Sequence, residues 1–344
     1  MKRHARLAVC LLMLTGPAPH TAEDSCSAQE PKARATLKGH RPESNPRAVF
    51  GADGRMLVSS SFDGTIRLWD VASGREMATF KDPAGDGRRL WSVAITSDGK
   101  TLASGNEGGT ITIWAVATGE PRVTLQGGRE TIRAVAFSAD GKMLVSGDEA
   151  RTVKVWDVAT GKERATLEAS SRALRVNTVL FSPDDMTFAA ASGFVPEGDD
   201  LKAEVRVWDT ATLKELCTLK TAQPHVSIAV ASDGKTLASG NRPGNIKLWN
   251  VATGKELLSL TDHEACQAIA FSRDGKALLS ASSAGTIKRW DMATGKEQGI
   301  LNTHRKGPQA VFRAYAFSPD CKLLATVDTK AGVIELWDIP EPPR

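Results

Sequence analysis

A tryptophan that returns at Trp69, Trp114, Trp156, Trp208, Trp249, Trp290 and Trp337, at separations of 45, 42, 52, 41, 41 and 47 residues, leaves this chain few ways to fold. Each copy has the same order. A polar turn (ADGR, SDGK, ADGK, PDDM, SDGK, RDGK, PDCK) is followed by a short apolar run such as LVSS or LASG, a second turn, and an alternating TIRLW or VKVW. Runs of this length with period-two alternation, separated by Gly- and Asp-rich turns, read as strands. A fourth short run follows most tryptophans: Arg75 to Phe80, Pro121 to Leu125, Lys162 to Leu167, Lys214 to Leu219 and Lys255 to Leu260. Four strands in about 45 residues is the period of propeller blades, so one large all-β domain of seven blades is expected.

The two ends of the chain complete that expectation. Ala33 to Leu37 (ARATL) looks like a fourth strand with no blade of its own, while the last copy runs from Trp337 into Pro340, Pro342 and Pro343, which cannot ladder. The front segment is therefore expected to complete the seventh blade, closing the ring and hiding the edges that would recruit another chain. A monomer is expected on that ground. Residues 33–344 would form the propeller, 23–32 a linker, and 1–22 a secretory signal peptide. That last segment has a basic start (Lys2, Arg3, Arg6), an apolar run from Leu7 to Leu14 and small residues after it. Eight apolar residues are too few to span a bilayer, so no membrane span is expected and the protein is expected to be exported, periplasmic or extracellular.

The residues then carry a resemblance. Gly39-His40 opens a copy and Trp69-Asp70 closes its third strand, with the close repeated at Trp156-Asp157, Trp208-Asp209, Trp290-Asp291 and Trp337-Asp338 and varied at Trp114-Ala115 and Trp249-Asn250. This resembles the WD40-repeat family, of the bacterial secreted type. The resemblance implies a seven-bladed propeller and a buried hydrogen-bond set of His, Ser or Thr, Asp and Trp that ties a loop to its blade. Only the first copy matches throughout, with His40, Ser59 or Ser61, Asp63 and Trp69. In place of Asp63 stand Gly108, Ala150, Lys202, Pro243, Ala284 and Ala331. Those blades are expected to hold their loops mainly by packing, leaving the first as the stiffest.

Chemistry is hard to find. His40, His225, His263 and His304 fall in loops that enter a blade, and there is no HExxH, CxxC, GxSxG, P-loop or dinucleotide fingerprint. No enzyme, cofactor or metal is expected. The formal charge of +4 falls to about +1 without Lys2, Arg3 and Arg6, with no concentrated basic face, so nucleic acid is not an expected partner. Cys26 and Cys321 would approach each other in a closed ring and could pair. Cys321 and Asp185 replace the turn glycines Gly54, Gly99, Gly141, Gly234 and Gly275, where positive φ is expected, so Cys321→Gly should stabilise. Arg289 takes a place filled elsewhere by Leu, Ile or Val and is read as snorkelling.

What remains is surface. Aligned on Phe50, Ile95, Phe137, Phe181, Val230, Phe271 and Phe317, the copies put Pro46, Trp91, Arg133, Asn177, Val226, Gln267 and Arg313 where the chain reaches its innermost strand, ringing the channel mouth. Trp and Arg are favoured at binding hot spots. Trp91, Arg133 and Arg313, with Arg88, Arg89, Arg175 and Phe194 nearby, are the candidate site for a protein or peptide partner, and a non-catalytic interaction scaffold is the expected function. The alternative is a propeller enzyme or small-molecule sensor using carboxylates, or the loop inserted between Ser192 and Glu204, at the same mouth.

Overall fold

The computed structural model describes residues 33–83, 88–170, 175–193, 203–221, 225–241, 244–261, 265–302 and 312–340. These form 28 strands in seven antiparallel four-stranded sheets arranged as a ring, with no helix among them. Blade 1 spans 47–81, blade 2 90–126, blade 3 132–168, blade 4 176–221, blade 5 225–261 and blade 6 266–302. Blade 7 takes three strands from 312–338 and its fourth from the front of the chain. The signal-segment expectation, Cys26 and Phe194 lie outside the described residues.

The closing strand, Ala35–Lys38, pairs with Val333–Asp338 in the register Ala35↔Leu336, Thr36↔Glu335, Leu37↔Ile334 and Lys38↔Val333. Alternation puts Leu37 inward, 1 % exposed, against Leu57 and Trp69 of blade 1 and Val327, Ile334 and Leu336 of blade 7. Arg34 extends the ladder by donating its N–H to the Leu336 carbonyl at 2.7 Å, and its guanidinium meets Asp338 at 3.2 Å. The segment thus closes a sheet and an inter-blade core together.

There is no single core. Seven apolar layers lie between successive blades, each built round the tryptophan of the later blade. Trp114 packs on Leu68 and Phe80 of blade 1, Trp156 on Ile113 and Leu125 of blade 2, and Trp69 on Leu37 and Leu336 of blade 7. Five blades repeat a further device on the third strand. Arg67, Lys154, Arg206, Lys247 and Lys288 pair with Glu76, Glu163, Glu215, Glu256 and Glu297 of the fourth strand, and all three lysines lie about 5.5 Å from the ring of the adjacent tryptophan. Arg289, opposite Gly299, has an exposed neighbour position to extend over and donates to Gln298.

The first turn of each blade is left-handed. φ is 69° at Gly54, Gly99, Gly141 and Gly275, 66° at Gly234, 58° at Asp185 and 57° at Cys321. Both non-glycine residues gain something from their side chains. The Asp185 carboxylate accepts the N–H groups of Ala139 and Asp140 in the preceding blade. The Cys321 thiol is buried in the layer between blades 6 and 7, donates to the Phe271 carbonyl at 3.2 Å, and is pushed up to about 11, chiefly by burial. This corrects the simple expectation for Cys321→Gly. Relief of left-handed strain, worth about 1 kcal/mol, is opposed by a similar loss of buried surface and contact.

Cys321→Gly should therefore change the unfolding free energy by less than about 1 kcal/mol in chemical denaturation. Leu37→Ala should cost about 2–5 kcal/mol, because it opens a cavity in a layer that a tethered strand completes. Because that strand pairs the two ends of the chain, the variant should also show faster amide exchange in Val333–Asp338 than in the third strands of other blades.

Candidate functional site

The inner strands begin with a bulge. Pairing jumps from Leu90 to Ser92, Ile132 to Ala134, Val176 to Thr178, His225 to Ser227, Cys266 to Ala268 and Phe312 to Tyr315, so Trp91, Arg133, Asn177, Val226, Gln267 and Arg313 sit at or within the skipped positions. An unpaired bulge residue re-aims its side chain out of the ladder. Blade 1 has no bulge: Arg47 pairs directly with Ser60. All seven inner strands wall a central channel of about 600 Å³.

Pro46 does not line this channel, and Arg47 does. This corrects the ring drawn from the aligned copies. By the register with Phe50 and Ile95, Arg47 holds the place of Ser92, Ala134, Thr178, Ser227, Ala268 and Ala314, small residues in all six other blades. A lone arginine among small residues was the available signal.

Arg47 converges with two of the expected residues. Its guanidinium carbon lies 5.7 Å from the centre of the Trp91 ring, and that of Arg133 lies 4.4 Å from the same ring. Phe62, from the second turn of blade 1, meets Trp91 at 4.5 Å between ring centres, and Arg89 lies 5.3 Å from Phe62. Each cation–π contact contributes on the order of 0.5–1 kcal/mol at such half-open sites. Arg133 bonds Glu149 at 2.8 Å, and Arg175 approaches the same carboxylate oxygen at 3.8 Å. Burial lowers the Arg47 guanidinium to about 10, with the charges of Arg133 and Arg175 adding to the effect. Arg88 is exposed and its guanidinium lies against Gly108. The Arg313 side chain lies outside the described residues.

Among the described residues, Arg47 and Arg133 are the only charged side chains in the channel wall. No group of His, Cys, Asp and Glu with metal-binding geometry is found among them. The inserted loop leaves the sheet after the pair Ser192↔Glu204, and 194–202 fall outside the described residues.

On the same rim, the first blade carries its buried polar set. Ser59 Oγ accepts from Trp69 Nε1 at 2.9 Å and bonds His40 Nε2 at 2.7 Å, and His40 Nδ1 meets Asp63 at 3.0 Å. Ser61 serves separately, bonding the Ser44 carbonyl and the Asp63 N–H. Burial acts to raise the Asp63 carboxyl, but hydrogen bonds from His40, Thr65 and the Arg41 N–H hold it well below the usual carboxylate range. That stabilisation is complete above about pH 4 and is lost only as pH falls through the depressed value.

The other blades retain more than packing, contrary to the expectation above. A Trp indole donates to Ser104, Ser146, Ser239, Ser280 or Thr326 in five of them, at 2.8 to 3.0 Å. The residue ending the second strand, Asn106, Asp148, Asn241, Ser282 or Asp328, takes backbone N–H groups of the following turn. Asn106 also donates to Asp82, clipping the preceding loop to blade 2. The signal lay in the strand ends SGN, SGD, SGN, SAS and TVD.

The ring of seven four-stranded sheets makes this chain a seven-bladed β-propeller. Two of its repeats, residues 214–250 and 254–291, match the model of the WD domain, G-beta repeat, while 47–200 match that of the nucleolar protein 10-like, N-terminal domain. No curated protein matches the chain. WD40 propellers generally act as protein-interaction scaffolds and are typically non-catalytic. No described helix is long and apolar enough to cross a membrane.

His40→Ala should cost about 2–3 kcal/mol in equilibrium unfolding, since it strips a buried carboxylate and a buried hydroxyl of a partner. In the unaltered protein, amides at 61–65 should exchange more slowly than those of the matching turns in blades 2 and 3, and the variant should erase that difference.

Proposed function

We propose that this protein is an exported, monomeric binding platform with no reaction of its own, which receives a protein or peptide partner at the channel mouth round Trp91. The observation that carries this reading is the convergence of Trp91 and Arg133, from the bulged starts of their inner strands, with Arg47 and Phe62 of blade 1. A half-exposed indole in an arginine cluster, at the centre of a ring whose seven sheets hold it still, has the composition and rigidity of a binding hot spot. The described channel wall carries no carboxylate, so the described residues place no acid or base at its centre.

Export is supported by the basic, apolar and small-residue layout of the first 22 residues, and a monomer by the closing strand, which occupies the sheet edge a second copy would need. The nucleolar name attaches to the family matched at 47–200 and is not carried over to this chain.

Crosslinking in intact cells, followed by capture with the unaltered chain and with Trp91→Ala and Arg133→Ala, tests the platform. Both variants should retain the fold and lose the proteins captured by the parent. Full retention of those proteins, or thermal stabilisation by a sugar, metal ion or small acid in place of protein capture, would overturn it.

A further inference from the structure

Among the described residues the mouth holds more guanidinium than carboxylate and more buried donors than acceptors. Arg47, Arg133 and Arg175 stand within mutual electrostatic reach, and one carboxylate, Glu149, serves two of them. Among the described residues Arg47 has no carboxylate partner. Three donors there are buried without a protein acceptor: Nε of Arg47, Nε of Arg133 and Nε1 of Trp91. Buried donors ordinarily find partners, so three on adjoining side chains ask for an acceptor from outside the chain. Arg47 is also costly to keep, because it is half-buried beside like charges where six blades carry small residues. Among the described residues the 5.7 Å approach to the Trp91 ring is the compensation on view for this charge, and a ligand carboxylate would supply the rest.

We propose that Arg47, Arg133 and Arg175, assembled round Trp91, receive a carboxylate of an acidic peptide segment, an Asp or Glu side chain carried into the mouth by a loop or tail of the protein partner. This deepens the platform reading and rests on it. A carboxylate is acceptor-only and planar, and it matches guanidinium forks two bonds at a time. The exposed part of the indole and Phe62 would take the apolar neighbours of that residue in the same segment. Nucleic acid is disfavoured, because a near-neutral chain lacks the broad basic track that a phosphate backbone follows. Glu149 then acts as a tuning residue: it neutralises part of the cluster in the free protein and competes with the incoming carboxylate.

The test uses the full chain and fluorescence anisotropy with a labelled peptide of alternating Glu and Gly, its Gln counterpart, a phosphoserine counterpart and an oligothymidylate. The Glu peptide should bind at least about tenfold more tightly than the Gln peptide. Arg47→Gln should remove most of that preference, and Arg47→Lys should restore part of it. Arg55→Gln, in an exposed turn at the far end of blade 1, should change nothing. Glu149→Gln should strengthen Glu-peptide binding several-fold, a gain that a misfolded variant does not produce. Equal binding of the Glu and Gln peptides, unchanged or weaker binding by Glu149→Gln, or tighter binding of the phosphopeptide or oligothymidylate would overturn the proposal. Trp91-dependent capture of partners with no Glu preference would sink this inference and leave the platform standing. Arg47-dependent binding of the Glu peptide without Trp91-dependent protein capture would do the reverse.

Discussion

Everything in this molecule depends on the pairing of Ala35–Lys38 with Val333–Asp338. A row of sheets packed face to face has two open ends, and each end exposes an apolar layer and an unpaired strand edge. Joining the last blade to the first with a strand from the opposite end of the chain removes both exposures at once. The contact is the most non-local one available, so its loop-closure entropy is gained back only when the full ring is in place. Leu37 shows why the join must be accurate, since a slip of one residue would turn it from the layer between blades 7 and 1 into solvent.

Within the closed ring, stability is distributed across seven similar layers. Each tryptophan belongs to one blade by its backbone and to the previous blade by its packing, and an indole hydrogen bond to Ser or Thr fixes its tilt in six of seven blades. In blade 4 Ala190 stands in the serine's place, and that layer gains a stack of Phe188 on Trp208 at 5.2 Å. Apolar packing there does what the hydroxyl does elsewhere. The rim is more varied than the layers, because a turn can be pinned by any short polar side chain that reaches its N–H groups. The His40, Ser59, Asp63 and Trp69 set is one solution, and Asn106 with Asp82 is another.

The channel mouth follows from this rigidity. Bulges at the start of the inner strands lift residues out of the ladder in six of the seven blades, at positions more than 200 apart in the chain. Small residues beside the bulge keep the channel open in six blades. Arg47 breaks that pattern, and with it the mouth acquires a positive, aromatic character. A half-buried charge of this kind is costly to the fold, and the surrounding sheets tolerate it because they are pinned from both sides.

The number of blades, the identity of the strands, the left-handed turns and the borrowed fourth strand were all legible in the sequence, because each depends on local rules of period, alternation and turn chemistry that repeat seven times. Trp91 and Arg133 were legible for the same reason, as odd residues at a repeated position. Arg47 was passed over because the position chosen for the ring lay one residue earlier, at Pro46, and only the paired strands show that blade 1 lacks the bulge which turns that position into the channel at Trp91, Arg133, Asn177 and Gln267. Nor could a linear reading show that Cys321 is buried and bonded, that Asp185 clips the neighbouring blade, or that Glu149 is shared between two arginines. Those facts concern which side chains from different blades come within a few ångströms, and that is decided by the curvature and closure of the ring. The sequence by itself determined the repeating unit and its count; the tertiary structure decided which unlike residues of those units meet, because only closure brings them to one point.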